Sequence, residues 1–148
     1  RYYDAIIHGD YVSARPFDNF MELIAGLPPS CCGYTGVCEC YFVVESDGGV
    51  YPCDFYVLDR YRMGSVNEMC FAGMYSSEPA ARFTAESEPV DETCSSCEWF
   101  ALCRGGCRRH RDPAGDGRLT LNRFCGGYKH FFGYAYPRML ELRKYMRM

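Results

Sequence analysis

Residues 94–107 read Cys-Ser-Ser-Cys-Glu-Trp-Phe-Ala-Leu-Cys-Arg-Gly-Gly-Cys, which places four thiols at the spacing C-x2-C-x5-C-x3-C. A C-x2-C pair lets two sulfurs converge on one metal centre from a tight turn. Gly105 and Gly106 remove side chains where the backbone would pass close to a bulky inorganic centre. The stretch therefore predicts a metal centre with cysteine ligands.

Further cysteines lie outside this string, near a predicted hairpin and in a late loop: Cys32, Cys38, Cys53 and Cys125. Together they give eight thiolates, which match two 4Fe-4S clusters at one thiolate per iron. Two zinc ions need the same eight ligands, so counting leaves the metal open. The chain has 11 cysteines, and an odd number cannot pair completely in disulfides.

The length and net charge of the chain exclude or disfavour several classes of function. The chain has 148 residues, one domain's worth, and a formal net charge of −3, which disfavours nucleic acid and acidic membrane surfaces as partners. No apolar run is long enough to span a membrane, and no export signal is visible. The chain also lacks an initiator Met, so we expect an excised part of a longer cytoplasmic protein, whose reducing surroundings keep thiols free for metal.

Local patterns predict a small α+β domain in which a β-hairpin is followed by short helices and loops around two metal sites. Residues 16–27 carry apolar side chains at helical spacing, and Pro28 ends this amphipathic helix. Two β-rich stretches between Cys40 and Cys53 surround the turn at residues 47–49, Asp-Gly-Gly, which is typical of a hairpin.

The rest of the chain gives weaker signals. We expect a short helix within residues 67–74, a solvated acidic segment at 79–92, and a turn at 112–117. The acidic side chains assigned to solvent are Glu86, Glu88, Asp91 and Glu92. Pro137 predicts that the closing segment forms two short helices rather than one, with Met146 on the apolar face of the second. An aromatic stripe there is expected in the core: Phe124, Tyr128, Phe131 and Phe132.

These residues resemble those of the anaerobic sulfatase-maturating enzymes, radical S-adenosylmethionine (radical SAM) proteins with a C-terminal auxiliary-cluster domain of the SPASM type. The resemblance covers nearly the whole chain. It rests on the thiol string at 94–107, on Cys125 before Gly-Gly-Tyr, and on residues 50–57, Val-Tyr-Pro-Cys-Asp-Phe-Tyr-Val. It implies that residues 1–30 are the tail of the radical SAM barrel with a connecting helix, and that 31–148 form the SPASM domain.

The resemblance also implies two 4Fe-4S clusters with interleaved ligands. The first would be held by Cys32, Cys38, Cys53 and Cys107, and the second by Cys94, Cys97, Cys103 and Cys125. Cys31 is an alternative to Cys32. Cys40 and Cys70 are expected as small buried apolar residues. The three histidines form no recognisable ligand set.

Asp54 directly follows the predicted ligand Cys53. The residues alone favour a turn-capping role for it. The resemblance implies instead a general base that deprotonates the Cys or Ser of a sulfatase polypeptide before oxidation to formylglycine.

The resemblance further implies that the domain positions that peptide and that its clusters take up the released electron. The C-x3-C-x2-C motif of the SAM-cleaving cluster is absent from this chain, so SAM would bind only in the full-length parent. A non-catalytic two-zinc binding module and the SPASM domain of another peptide-modifying radical SAM enzyme remain alternatives. The run at 52–55, Pro-Cys-Asp-Phe, favours the sulfatase type.

Several basic side chains lie beside the predicted ligands: Arg104, Arg108, Arg109, Arg111 and Lys129. An oxidised 4Fe-4S core with four thiolates carries about −2, so two clusters add about −4 of partly buried charge. The basic side chains either compensate this charge or form a solvated turn, and both interpretations stay open at this stage. Nucleic-acid contact is disfavoured by the acidic total.

Overall fold

Short helices and one small antiparallel sheet make up residues 1–116 and 118–145, the part of the chain that the computed structural model describes. The helices are α1 Tyr2–Ile7, α2 Arg15–Ile24, α3 Phe71–Tyr75, α4 Glu78–Ala85, α5 Glu92–Ser95, α6 Phe100–Cys103 and α7 Cys125–Leu142. The strands are β1 Val43–Val44, β2 Gly49–Tyr51 and β3 Gly64–Ser65, in the order β1-β2-β3. Single 3-10 turns lie at Cys32–Tyr34, Asp59–Tyr61, Arg108–His110 and Arg143–Tyr145. The predicted α+β class is confirmed.

The sheet is built on the predicted hairpin. Val43 of β1 pairs with Tyr51 of β2 in antiparallel register. In the turn between them Gly48 has φ +82°, a left-handed conformation that favours glycine. β3 pairs with the other edge of β2 and was not predicted, because a two-residue strand that contains Gly64 shows no apolar alternation.

Helices α1 and α2 pack on α7 to form the larger core. Phe20 and Met21 of α2 are buried with Phe132 of α7, and Tyr128 and Phe131 are partly buried beside them. The predicted helix at 16–27 is thus confirmed, and it carries Pro16 in its first turn, where a missing N–H costs nothing. The aromatic stripe is core as predicted, except that Phe124 is 47% exposed.

The closing segment is one helix, α7, so the expectation of two short helices is wrong. Pro137 lies inside α7 and removes only the hydrogen bond that residue 137 would donate to the carbonyl of Gly133. Met139 and Leu142, which follow Pro137, are buried in the same core as Phe132. The burial of these two side chains stabilises the turns of α7 that follow Pro137, so the helix continues past it. Met146, placed on this face by the sequence, lies outside the described residues.

The acidic segment is more ordered than predicted. The Ser77 side chain accepts a hydrogen bond from the N–H of Ala80 and caps α4, whose Phe83 is fully buried. Glu86 follows the helix and is not a solvated side chain, because its carboxylate accepts hydrogen bonds from Arg60 and Arg108. The neighbouring short helix begins at Phe71, later than the predicted residue 67.

The predicted turn at 112–117 is described as far as Asp116, where the chain bends, and Gly117 lies outside the described residues. Of the helices in residues 1–116 and 118–145, none combines the length and the apolar character needed to cross a bilayer.

Candidate metal centres

Four of the predicted ligands line one cavity of about 620 Å³. We call them group one: Cys32, Cys38, Cys53 and Cys107. They come from the turn after the proline pair, the approach to the hairpin, the end of the hairpin and the end of the thiol string. The electrostatic neighbours of Cys38 include Cys32 and Cys107, and those of Cys53 include Cys38. The structure thus brings together residues that lie far apart in sequence.

Backbone contacts hold group one in place. The N–H of Cys38 donates to the hydroxyl of Ser87 over 2.8 Å, and Ser87 is fully buried. The N–H of Tyr41 donates to the carbonyl of Pro52 over 2.8 Å and ties the approach strand to the segment that carries Cys53. Gly33, beside Cys32, lies so close to Cys107 that a Cβ there would be 3.8 Å from the Cys107 Cβ.

Burial controls the protonation of these thiols. It raises the pKa values of Cys32 and Cys38 above the ordinary value of 9.0, and it raises that of Cys53 to about 12. Cys32, Cys38 and Cys53 are therefore neutral thiols near pH 7 without metal. Metal binding must displace their protons, because the thiolate is the ligand form.

The other four predicted ligands line a second, smaller cavity of about 20 Å³. We call them group two: Cys94, Cys97, Cys103 and Cys125. Cys94 lies in α5, Cys97 in the turn that follows, Cys103 ends α6 and Cys125 begins the long helix α7. The electrostatic neighbours of Cys103 are Cys94, Cys97 and Cys125, all members of its own group. Burial raises the pKa values of Cys94 and Cys103.

Two glycines lie between Cys103 and Cys107, and the structure explains them differently from the sequence analysis. Gly105 and Gly106 both have positive φ, +80° and +70°. A Cβ at Gly106 would lie 2.6 Å from the side-chain nitrogen of Asn122, which itself donates to the carbonyl of Gly105. Turn geometry and the packing of Asn122 therefore require glycine here.

The donor set fits iron–sulfur clusters. All eleven cysteines are within the described residues and are free thiols, the ligands that such clusters use. Among the described residues no three Cys, His, Asp or Glu side chains surround a single-ion position. Each group instead brings together four thiols, one for each iron of a cubane. The group-one cavity of about 620 Å³ has room for a cluster, whereas the group-two cavity of about 20 Å³ must widen to take one.

The remaining cysteines divide into three cases. Cys31 lines the group-one cavity beside Cys32, so it stays an alternative ligand. Cys40 is half-buried and packs against the apolar side chains around Val50. Cys70 is exposed, so its predicted burial is wrong; it precedes α3 and its side chain makes no capping hydrogen bond there.

Asp54 lines the group-one cavity and is exposed. Its carboxylate accepts a hydrogen bond from the Cys53 thiol over 3.4 Å. No backbone N–H of the described residues donates to it, so the capping role that the residues alone favoured is not observed. The carboxylate faces both a predicted ligand and solvent.

A buried cationic network borders group one and was missed by sequence reasoning. The Arg108 guanidinium, 1% exposed, donates to Glu86 over 2.9 Å and to the carbonyl of Phe83 over 2.9 Å. It also lies 3.6 Å from the Asp112 carboxylate and above the Tyr56 ring. The solvated-turn interpretation is thus wrong for Arg108, and it is wrong for Arg111, which is 2% exposed. Arg109 is exposed and stacks on Phe55.

Comparison with known families defines the class of domain. Residues 32–98 match the model of SPASM, an iron-sulfur cluster-binding domain, and this range includes the first three ligands of group one and Cys94 and Cys97 of group two. Over residues 32–98 the chain is therefore similar to SPASM iron–sulfur cluster-binding domains. This match favours iron–sulfur over the two-zinc alternative.

The individual proteins to which the chain is similar are anaerobic sulfatase-maturating enzymes. The chain is 46% identical over 141 residues to the cysteine-type anaerobic sulfatase-maturating enzyme of Clostridium perfringens (strain 13 / Type A), covering 95% of this chain and 38% of that protein. It is 29% identical over 130 residues to the serine-type enzyme of Bacteroides thetaiotaomicron, covering 86% of this chain and 31% of that protein.

A solved structure, native anSMEcpe with bound AdoMet and Cp18Cys peptide, shares the fold with a TM-score of 0.92 and 45% identity, covering 97% of this chain and 40% of that chain. The resemblance to anaerobic sulfatase-maturating enzymes is confirmed. The chain spans less than half the length of the relatives it matches.

Proposed function

We propose that this chain is the auxiliary-cluster domain of a cysteine-type anaerobic sulfatase-maturating enzyme. The observation that carries the proposal is the group-one cavity, where four thiols and the exposed Asp54 carboxylate line one space of about 620 Å³. In this proposal the domain positions a sulfatase polypeptide and assists the oxidation of its target residue to formylglycine. The parent protein would bind AdoMet in a radical SAM barrel and work in the cytoplasm.

Each thiol group would hold one 4Fe-4S cluster: group one through Cys32, Cys38, Cys53 and Cys107, and group two through Cys94, Cys97, Cys103 and Cys125. When bound, the clusters would accept the electron that leaves the oxidised substrate. We place the SPASM domain at residues 31–148 and assign 1–30 to the end of the preceding barrel. The packing of α2 on α7 would then fix the domain against that barrel.

Asp54 would act as the general base. Its Oδ1 accepts a hydrogen bond from the Cys53 thiol when that sulfur is protonated. A metal-bound Cys53 has no such proton, so Oδ1 would become free to accept the proton of the substrate thiol. Exposure at the cavity mouth would let a peptide side chain reach the carboxylate.

The choice of a cysteine substrate rests on the relatives. The cysteine-type enzymes are 42% to 46% identical to this chain, whereas the serine-type enzymes are 29% to 32% identical. A hydroxyl is a far weaker acid than a thiol, so a base suited to one substrate is poorly matched to the other.

The test is Asp54→Asn in the full-length protein, which keeps the size of the side chain but removes the base. Formylglycine formation from a cysteine peptide should fall about 10²-fold or more, the usual scale for a positioned base. Iron content and AdoMet binding should stay unchanged. Glu39→Gln is the matched control, because Glu39 is an exposed carboxylate that lines the same cavity.

Glu39→Gln should mature peptide at the wild-type rate. A wild-type rate for Asp54→Asn, or loss of iron in that variant, would mean that Asp54 is structural and that the base lies elsewhere.

A further inference from the structure

Arg111 is a buried cation with an unusual set of partners. Its guanidinium, 2% exposed, donates to the carbonyl of Pro89 over 2.7 Å and to that of Ser87 over 2.8 Å. A longer bond of 3.5 Å reaches the carbonyl of Gly36. The buried Nε has no hydrogen-bond partner among the described residues. The Arg111 guanidinium is therefore held in place by neutral carbonyl oxygens, and its Nε–H donor makes no hydrogen bond to the described residues.

The charge of Arg111 is uncompensated within the described residues, since no carboxylate there forms an ion pair with its guanidinium. Arg108, equally buried, is paired with Glu86 and lies near Asp112. Burying a charge without a counter-ion is strongly unfavourable, so an unpaired buried guanidinium needs some other source of negative charge.

The contacts of Arg111 reach the segments that carry both thiol groups. Ser87 holds Cys38 of group one by accepting its N–H, and Gly36 lies two residues before Cys38 in the same segment. On another side Arg111 packs on Gly105, which lies between Cys103 of group two and Cys107 of group one; a Cβ at Gly105 would be 3.6 Å from the guanidinium carbon.

Electrostatics agree with this placement. Burial lowers the pKa of Arg111 below its ordinary value, and the negative charge that Cys38, Cys107 and Cys94 carry as thiolates acts in the opposite direction. Cys38 and Cys107 belong to group one and Cys94 to group two. One cation thus interacts with thiols of both groups.

We propose that Arg111 is a positioning residue whose charge compensates both thiol groups when they hold clusters, and that it raises the reduction potentials of both clusters together. The inference rests on the proposed function of the two groups as 4Fe-4S sites. Reduction adds one negative charge to a cluster, and a nearby cation in a poorly solvated site favours the more negative form. Arg111 thereby makes both clusters easier to reduce.

Two variants separate charge from hydrogen bonding. Arg111→Gln keeps an N–H donor for the carbonyls but removes the charge, whereas Arg111→Lys keeps the charge but loses the planar fork. Arg109→Gln is the control, because it removes the same charge from an exposed side chain two positions away. All are made in the full-length protein, reconstituted anaerobically with iron and sulfide. The SAM-cleaving cluster is distinguished from the others by its response to AdoMet.

The readout is the fraction of reduced auxiliary cluster at fixed potentials, followed by electron paramagnetic resonance, together with iron content. In Arg111→Gln the reduced-to-oxidised ratio should fall about tenfold for both clusters, which for a one-electron couple is 59 mV toward more negative potential. Arg111→Lys should restore most of the ratio, and Arg109→Gln should leave it near the wild-type value. If Arg111→Gln loses iron and Arg111→Lys keeps it, this result also supports the proposal, because the clusters then need the positive charge at residue 111.

Unchanged ratios in iron-loaded Arg111→Gln would overturn the inference and leave the proposed function standing. Equal iron loss in both Arg111 variants would also overturn the inference, because the hydrogen bonds of the planar guanidinium, and not its charge, would then be what the site needs. A wild-type protein that takes up no auxiliary clusters would overturn the proposed function, and this inference with it.

Discussion

The two thiol groups are built in contrasting ways. Three thiols of group two lie within ten residues of the chain, from Cys94 to Cys103, and the fourth, Cys125, begins α7. Group one gathers thiols from residues 32 to 107, and its position depends on tertiary contacts such as those of Ser87 and Arg108. Thiols that lie close together in sequence can be recognised from a motif. Thiols that come from distant segments meet only when tertiary contacts hold those segments in place.

The largest expected effect is the loss of one site at a time. Cys38→Ala should remove the group-one cluster and Cys103→Ala the group-two cluster, so iron should fall from about eight to about four per chain in each variant, because each cubane needs four thiolates. Iron analysis of the anaerobically reconstituted chain measures this.

Cys40→Ala and Cys70→Ala are the controls and should keep the full iron content. Equal losses in all four variants would show that the division into two groups is wrong.

The next effect tests the dependence of group one on its surroundings. Arg108→Met removes the buried cation that pairs with Glu86 and lies 3.6 Å from the Asp112 carboxylate, which should lower the free energy of unfolding by about 3–5 kcal/mol. Urea unfolding measures this change, and iron should be lost from group one before group two. Arg109→Met, at an exposed position, should change stability by less than about 0.5 kcal/mol. Equal effects from both substitutions would contradict the structural role of Arg108.

The smallest effect is a pH dependence carried by Glu86. Burial alone would raise the pKa of Glu86, but hydrogen bonds from Tyr61 and Arg108 outweigh it and lower the pKa below 4.5. A lowered folded-state pKa adds stability above pH 4.5 that is lost as the pH falls through the lowered value.

Glu86→Gln should therefore cost about 2 kcal/mol near pH 7, a typical loss for hydrogen bonds to a charged group, and the cost should shrink below pH 4.5. Urea unfolding at each pH, with wild type and variant at the same metal loading, measures the difference. Glu88→Gln, at an exposed neighbour, should show no such trend. A cost that stays constant through acid pH would contradict the charged pairing of Glu86.

The predictions that held were local ones. The turn at 47–49 and the apolar spacing of residues 16–27 act over a few residues, so the hairpin and α2 could be predicted. The single helix α7 could not, because burial of Met139 and Leu142 outweighs the bond lost at Pro137.

The site shows the same division. The division of the thiols into two groups came from the family resemblance, because the string at 94–107 alone would have kept Cys107 with Cys94, Cys97 and Cys103. The role of Glu86 could not be predicted, since its partners Arg60 and Arg108 lie 26 and 22 residues away. The sequence could not decide whether Arg111 is buried or solvated, because a run of basic residues is usually solvated.

Metal content tests the central claim most directly, namely that this fold holds two iron–sulfur clusters on two groups of four thiols. The chain, reconstituted anaerobically with iron and sulfide, should contain about eight irons and eight sulfides and show broad charge-transfer absorbance. Air should bleach the colour and expose apolar surface, because metal binding and folding are coupled. Two tightly bound zinc ions, no uptake of iron and an intact fold would contradict the claim.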